Sequence, residues 1–159
     1  MEEQNAPYHF ARILVPLDGS ACAESALPPA LAIARAMEAE LVLFRVAQPI
    51  PRTRALIEMA DVYNEVVAAA YREAESYLED LKARLPYTRI TIEHEPVETG
   101  VARQILDYCT SHGVDLIVLS SHGYSGVRRW THGSVAEKLM NGACCATLII
   151  RCLPGPDPM

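Results

Sequence analysis

The chain has 159 residues, which is close to the usual size of one domain. Half of its residues are hydrophobic and 21% are charged, a composition typical of a globular protein and too apolar for a disordered one. Fourteen Lys and Arg against 20 Asp and Glu give a net charge of -6, which argues against electrostatic binding to nucleic acid or to an anionic membrane. We therefore expect one packed domain with neither partner.

The apolar runs, the first residues and the cysteines indicate the cellular compartment of the protein. The longest uninterrupted apolar run, residues 66–71, is far shorter than the ~20 residues of a membrane-spanning helix. Residues 1–5 are acidic and polar, where a secretory signal would be basic and then apolar. The 5 cysteines are odd in number and lack the spacing of a zinc site, so we predict reduced, mostly buried thiols. These features together predict a cytoplasmic protein.

Five apolar runs have the length and composition of β-strands. We predict strands at residues 12–17, 41–46, 89–95, 115–120 and 147–151. The third run alternates between apolar and polar residues, which is typical of a strand near the edge of a sheet.

Between these runs, apolar residues spaced by three and four predict helices. The predicted helices cover residues 21–37, 57–85, 100–111 and 134–141. Pro28 and Pro29 predict a kink early in the first helix. Thr99 is the predicted N-cap of the third helix, and Gly113 is its predicted end.

Alternation of strands and helices predicts an α/β fold, with a mostly parallel sheet covered by helices on both faces. Periodicity alone leaves the strand order open. Ligands of such sheets bind beyond the carboxyl ends of the strands, where the strand order reverses. Two loops at such ends carry suitable residues, namely Asp18-Gly19-Ser20 after the first strand and residues 120–134 after the fourth.

The second of these loops has the composition of a phosphate-binding loop. Glycines at 123, 126 and 133 allow a phosphate to approach the main-chain N–H groups. Ser134 with Glu137 three positions later predicts a capping box, so the following helix would present free N–H donors to an anion. The alternative is a flexible loop whose glycines only serve turns. Neither the dinucleotide-binding glycine fingerprint nor the P-loop sequence is present.

Three separated blocks resemble the universal stress protein family over about residues 10–152. They are Val-Pro-Leu-Asp-Gly-Ser at 15–20, Asp-Leu-Ile-Val-Leu-Ser-Ser-His-Gly at 115–123 and Gly-Ser-Val-Ala-Glu-Lys at 133–138. The resemblance implies a single-domain three-layer sandwich with a five-stranded parallel sheet of order 3-2-1-4-5, Rossmann-like and similar to the adenine nucleotide alpha hydrolases. Residues 1–9 would be an N-terminal extension and residues 153–159 a flexible tail.

In the nucleotide-binding branch of this family the signature is Gly, two residues, Gly, nine residues, then Gly-Ser or Gly-Thr. Gly123 and the pair Gly133-Ser134 match it, whereas Ser120 stands where the first glycine would be. The resemblance implies an ATP or AMP site formed by Pro16, Leu17, Asp18, Val46, Leu119, Ser120, Gly123, Gly133, Ser134 and Val135. Asp18 could help hold a nucleotide-bound Mg²⁺, with no metal site made by protein alone; its other interpretation is an Asx turn that ends the first strand.

The same loop offers no evident catalytic residue. His122 and His132 lack a convergent carboxylate, and no general base and lysine clamp are evident beside the phosphates. Arg128, Arg129 and Trp130 are either a cover over the phosphates or a solvated loop. We expect slow ATP hydrolysis at most, and the resemblance implies no more than weak ATPase or autophosphorylation activity.

The resemblance also implies a homodimer through the last strand, Ala146–Ile150, in which Leu148 and Ile150 share one face and Thr147 and Ile149 the other. Our leading hypothesis is a stress-response sensor or interaction module that depends on bound nucleotide and acts on protein partners not identified by the sequence. The alternative, favoured by Ser120, is a nucleotide-free dimeric interaction module. An adenine-nucleotide hydrolase or ligase is disfavoured, because Asp18-Gly19-Ser20-Ala21 replaces the Ser-Gly-Gly-x-Asp-Ser loop typical of that group.

Overall fold

The computed structural model describes residues 8–47, 58–96, 99–121 and 134–152. The strands in these ranges are β1 (Arg12–Pro16), β2 (Glu40–Ala47), β3 (Ile90–Pro96), β4 (Leu116–Ser120) and β5 (Ala146–Ile150). The helices are α1 (Ala21–Glu24), α2 (Leu27–Met37), α3 (Ala60–Arg84), α4 (Val101–His112) and α5 (Ser134–Gly142). Each predicted strand is present, with ends that differ from the prediction by one residue or none.

All five strands form one parallel sheet in the order β3-β2-β1-β4-β5, which confirms the predicted α/β fold class. In the centre, Leu14 of β1 lies opposite Val42 of β2 on one side and Ile117 of β4 on the other. The chain leaves β1 toward one edge of the sheet and leaves β4 toward the other. The strand order therefore reverses between β1 and β4, where sheets of this kind bind their ligands.

The core has two halves, one on each face of the sheet. Alternate residues of the central strands point to opposite faces, so Ile13 and Val15 pack on the side of α1, α2 and α3. Leu14 and Ile117 pack on the side of α4 and α5. These side chains are fully buried, as predicted for strands covered on both faces. The β3 strand lies at an edge, as its alternating pattern predicts.

The prediction of one kinked helix at 21–37 is wrong. The chain forms the short helix α1, then α2 with Pro28 and Pro29 in its first turn. Backbone N–H groups in a first turn need no helical partner, so a proline is tolerated there and not farther along. Ser20 caps α1 by accepting a hydrogen bond from Ala23 N at 3.1 Å.

The start of α4 also differs from the prediction. Gly100, not Thr99, is the N-cap, and it adopts a φ of 107°, a conformation that favours glycine. Gly113 ends the helix as predicted, with φ 63° and ψ 40° in the left-handed region. The long helix is Ala60–Arg84, within the predicted 57–85.

The prediction of reduced, mostly buried cysteines is wrong for one pair. Cys22 and Cys152 form a disulfide, with Cα atoms 5.5 Å apart although 130 positions separate them in the sequence. Strand topology brings them together, because α1 follows the carboxyl end of β1, Cys152 follows the carboxyl end of β5, and these ends point the same way in a parallel sheet. Cys109 is free and buried, and burial raises the pKa of its thiol to about 12. Cys145 is free and half-buried, while Cys144 is free and exposed.

Candidate functional site

The carboxyl edge of the sheet carries the part of the predicted site that the structure describes. Loop 1, residues 17–20, follows β1 and leads into α1. Across the strand reversal, Ser120 ends β4 and Ser121 follows it. Gly123 and Gly133 lie outside the described residues. So do the other loop residues discussed above, His122, Gly126, Arg128, Arg129, Trp130 and His132.

Loop 1 is fixed by hydrogen bonds that follow from its sequence. Leu17 N donates to Phe44 O at 2.8 Å, which extends the pairing of β1 with β2 by one residue. Asp18 Oδ1 accepts from Ser20 N at 2.9 Å, which is the predicted Asx turn. Gly19 has a φ of 87°, in the region that favours glycine. The structure thus holds Asp18 at the carboxyl end of β1.

An arginine from the neighbouring strand lies beside loop 1. A Cβ placed on Gly19 would be 3.5 Å from Nη2 of Arg45, near the end of β2. The side chain of Arg45 is 15% exposed and forms an ion pair of 2.8 Å with Glu73. Its guanidinium also lies over the ring of Tyr77, 4.8 Å from the centroid. We call the contacts of Arg45 with Glu73 and Tyr77 the brace. The brace connects β2 with α3 next to the candidate site.

Tyr77 extends the brace to α1. Its hydroxyl donates to Glu24 Oε1 at 2.9 Å. Burial raises the pKa of Tyr77 above its ordinary value, and the hydrogen bond to Glu24 raises it further, so the phenol stays protonated and remains a donor. Sequence reasoning missed Arg45 and Tyr77. The available signal was a single charged residue, Arg45, inside the otherwise apolar run of residues 41–46.

The end of β4 is enclosed and tied to β5. Ser120 and Ser121 are 8% and 6% exposed, and both are buried polar residues. Ser121 N donates to Ile150 O at 2.8 Å, and Ser121 Oγ accepts from Cys152 N at 3.4 Å. The serine that stands in place of the signature glycine is therefore accommodated inside the packed end of the strand.

The predicted apolar flanks lie on one face of the sheet. Val46 and Leu119 are 8% and 4% exposed, and both belong to the core half that faces α4 and α5. Most of their surface packs into this core. Val135, near the start of α5, is half-buried against the same cluster, and Pro16 is half-buried at the end of β1.

The predicted phosphate-binding end of the site includes the start of α5. Ser134 is exposed as the first residue of α5, with Glu137 in the first turn, whereas the capping box between them stays a prediction.

In the described ranges, no group of three or more His, Cys, Asp or Glu side chains is arranged to hold a metal ion. No helix within those ranges has both the length and the apolar character to cross a membrane.

Comparison with known proteins gives consistent matches. Residues 9–151 match the model of the Universal stress protein family. The universal stress protein YxiE of Bacillus subtilis is 29% identical over 147 residues, covering 89% of this chain and 99% of YxiE.

Solved structures of universal stress proteins share the fold of this chain. Universal stress protein UspA from Lactobacillus plantarum superposes with a TM-score of 0.76 at 27% identity, over 91% of this chain and 99% of that one. A universal stress protein in complex with cAMP superposes with a TM-score of 0.54 at 20% identity, over 90% of this chain and 98% of that one. The second likeness concerns the fold alone.

Proposed function

Because the chain belongs to the universal stress protein family, we propose that it binds ATP or AMP where β1 and β4 diverge, and acts in the stress response as a nucleotide-dependent sensor or interaction module. One observation carries the proposal. The structure places Asp18 and Ser120, from two separated motifs, at the carboxyl ends of the two strands that flank the strand reversal.

Described residues at the ends of β1, β2 and β4 would contact the adenosine part of the nucleotide. Asp18 Oδ1 serves the Asx turn, and its carboxylate has acceptor capacity for more than one hydrogen bond, so the turn and a ribose or adenine contact are compatible. Val46 and Leu119 are mostly packed in the core, and the small exposed part of each would be the apolar flank for a flat base. Pro16 and Leu17 complete this end of the proposed site.

The phosphates are assigned to the start of α5. Gly133, Ser134 and Val135 would contribute N–H groups where the helix dipole favours a negative charge, and Gly123 would allow close approach from the preceding loop. Mg²⁺ would enter on the phosphates with Asp18 as its protein contact, not at a site made by protein alone. Another universal stress protein has been solved in complex with cAMP, an adenine nucleotide, and membership of the same family is the reason for testing this ligand class.

The proposed role is binding, with slow ATP hydrolysis or autophosphorylation at most. Fast phosphoryl transfer needs a positioned base and cationic clamps at the phosphates, and the loop sequence suggests no such set. We place the protein in the cytoplasm, where its nucleotide state would be read by a protein partner.

The proposed assembly is a homodimer through β5. In the described ranges β5 pairs with β4 on one side and lies at the edge of the sheet, and its side chains pack into both core halves. An apolar edge strand of this kind is usually paired or covered. Light scattering at micromolar concentration should give the mass of a dimer, and a monomer mass would contradict this assembly.

A second candidate function is a nucleotide-free dimeric interaction module. The observation that favours it is Ser120, a buried side chain in place of the signature glycine. The two candidates differ in one property, the presence of a nucleotide site, so a binding experiment separates them.

The test begins with the nucleotide content of the purified full-length protein after acid release. Calorimetric titration with ATP and with AMP then follows on wild type, Gly133→Val and the control Ala36→Val. The control adds the same side chain on an exposed position of α2. We expect binding by wild type and by the control, with loss in Gly133→Val. A folded wild type with no released nucleotide and no heat of binding would instead support the interaction module.

A further inference from the structure

The disulfide joins two segments that flank the candidate site. Cys22 lies in α1, two positions after Ser20 of loop 1. Cys152 lies two positions after the end of β5. Their Cα atoms are 5.5 Å apart. The bond therefore links α1, which follows the central strand β1, to the segment that follows the edge strand β5.

Cys152 also contacts the residue that follows β4. Its N–H donates to Ser121 Oγ at 3.4 Å, and Ser121 N donates to Ile150 O at 2.8 Å. Ser121 is adjacent to Ser120, which the proposed function places at the nucleotide. A covalent restraint on Cys152 thus reaches the start of the segment after β4 through one hydrogen bond.

On the other side, the restraint reaches loop 1 through a very short helix. Helix α1 spans four residues, Ala21–Glu24, and a helix of this length has little stability of its own. Ser20 caps it through Ala23 N, and Ser20 N is bound to Asp18. Holding Cys22 in place therefore supports the turn that positions Asp18.

Neither cysteine of the disulfide is fully buried. Cys22 and Cys152 are half-buried, in contrast to Cys109, which is 3% exposed. Disulfides of cytosolic proteins are usually transient and redox-sensing, and the proposed function places this chain in the cytoplasm. Partly exposed disulfides belong to the labile, regulatory class.

We propose that Cys22 and Cys152 form a reversible thiol–disulfide exchange site that controls how tightly the chain binds its nucleotide. The proposal rests on the proposed function for its ligand. The reacting partner is a dithiol on reduction and a small disulfide on oxidation.

Reduction proceeds in two exchange steps. A thiolate of the dithiol attacks one protein sulfur, the bond between Cys22 and Cys152 breaks, and the released cysteine thiolate takes up a proton. The second thiol of the dithiol then attacks the mixed disulfide and releases the other cysteine. The dithiol ends as a cyclic disulfide, and its two electrons reside on the two protein thiols. In oxidation by a small disulfide, one cysteine thiolate attacks it and releases a first small thiol, and the other cysteine then attacks the mixed disulfide and releases a second small thiol.

The disulfide form is the tighter binder in this proposal. With the bond intact, Ser121 and α1 are already ordered when the nucleotide arrives. After reduction the nucleotide must order them, which offsets part of the binding free energy. We expect affinity for ATP or AMP to fall roughly three- to tenfold on reduction, the size of effect that ordering one or two side chains produces.

The experiment uses the full-length chain in two states, treated with oxidised glutathione or with dithiothreitol. Alkylation and mass measurement verify each state, since three cysteines are free when Cys22 and Cys152 are bonded. Titration of ATP and AMP should give weaker binding in the reduced wild type. Cys152→Ser should match the reduced wild type under both treatments. Cys144→Ser, which removes an exposed free thiol, should retain the full redox response.

Amide hydrogen exchange without nucleotide provides the second measurement. We expect protection of Ala23 N and Ser121 N to fall on reduction, because both donate hydrogen bonds next to the disulfide-linked segments. Equal affinity in the two states, or tighter binding after reduction, would overturn the proposal. Absence of nucleotide binding in both redox states would contradict the proposed function. In that case lower protection after reduction would still support an exchange site that orders these loops, and unchanged protection would overturn it.

Discussion

The segments at the ends of β1 and β4 are held in different ways. From Asp18 onward, loop 1 is shaped by its own near neighbours, because Asp18 accepts from Ser20 N and Ser20 caps α1. Ser121 is held by Cys152, 31 positions farther along the chain, and Cys152 is bonded to Cys22, 130 positions back. One half of the candidate site is therefore encoded locally, and the other depends on the completed sheet.

This difference implies that the two halves respond to different perturbations. A change of backbone conformation within loop 1 should act directly on the site. A change at the end of β5 should act on the site only through the disulfide and the hydrogen bond to Ser121. The variants below separate these routes, from the largest expected effect on stability to the smallest.

Cys152→Ser removes the non-local restraint. In oxidising buffer we expect the free energy of unfolding to fall by about 2–4 kcal/mol, because the unfolded chain is no longer closed into a long loop. Chemical denaturation of variant and wild type measures this difference. In reducing buffer the two proteins should unfold at nearly the same denaturant concentration. A difference that persists there would show that the side chain matters apart from the bond.

Gly19→Ala disturbs the local half. The backbone at Gly19 has a φ of 87°, so a Cβ there costs about 1–2 kcal/mol, while its nearest neighbour at 3.5 Å is an ordinary contact. We expect this loss of stability together with weaker ATP binding by calorimetry. Gly113→Ala is the matched control, because Gly113 has a φ of 63° and nothing within 4 Å of an added Cβ. It should lose similar stability and keep its affinity; reduced affinity in both variants would refute a local role for loop 1.

Tyr77→Phe removes one hydrogen bond from the brace beside loop 1. The hydroxyl donates to Glu24 Oε1 at 2.9 Å, so its loss should lower the free energy of unfolding by about 1 kcal/mol. Thermal unfolding at neutral pH checks the value. Tyr71→Phe is the control, on the same helix α3, because phenylalanine keeps the ring contact of Tyr71 with His94, and it should change stability less. Equal losses in the two variants would mean that the Glu24 contact contributes nothing of its own.

The amino end of β2 offers a test away from the site. A hydrogen bond from Thr91 at 2.6 Å is the main cause that lowers the pKa of Glu40 below 4.5, with Arg12 adding to it and burial opposing it. A lowered pKa contributes stability above pH 4.5 that is lost as the pH falls through the folded-state value.

Thr91→Val should therefore destabilise the protein by less than about 1 kcal/mol at pH 7 and flatten the decline of stability below pH 4.5. Denaturant unfolding at a series of pH values measures both effects. Nucleotide affinity should stay at the wild-type value, because Thr91 and Glu40 are at the opposite end of the sheet from loop 1. An unchanged pH profile would contradict the assigned cause of the pKa shift.

The sequence predicts what depends on short-range pattern. The five strands, the left-handed Gly113 and the Asx turn of Asp18 were all predictable, because each follows from hydrophobic runs or from residues two to four positions apart. The strand order came from the family resemblance, since periodicity leaves it open.

What escaped prediction depends on distance in the chain. The disulfide between Cys22 and Cys152, and the brace of Arg45 with Tyr77, join elements that only the finished sheet brings together. The wrong prediction of Thr99 as N-cap has another cause. A residue with a capping side chain or a glycine with positive φ can stand just before a helix, and here Gly100, with positive φ, is the N-cap.

The most direct test of the central claim is an NMR titration of the ¹⁵N-labelled chain with AMP. Binding at the strand reversal predicts saturable shifts of the amide signals of Leu17, Asp18, Leu119 and Ser120, with little change at Thr91 in the opposite half of the sheet. No shifts at millimolar AMP, or shifts confined to residues away from the ends of β1 and β4, would contradict the nucleotide site.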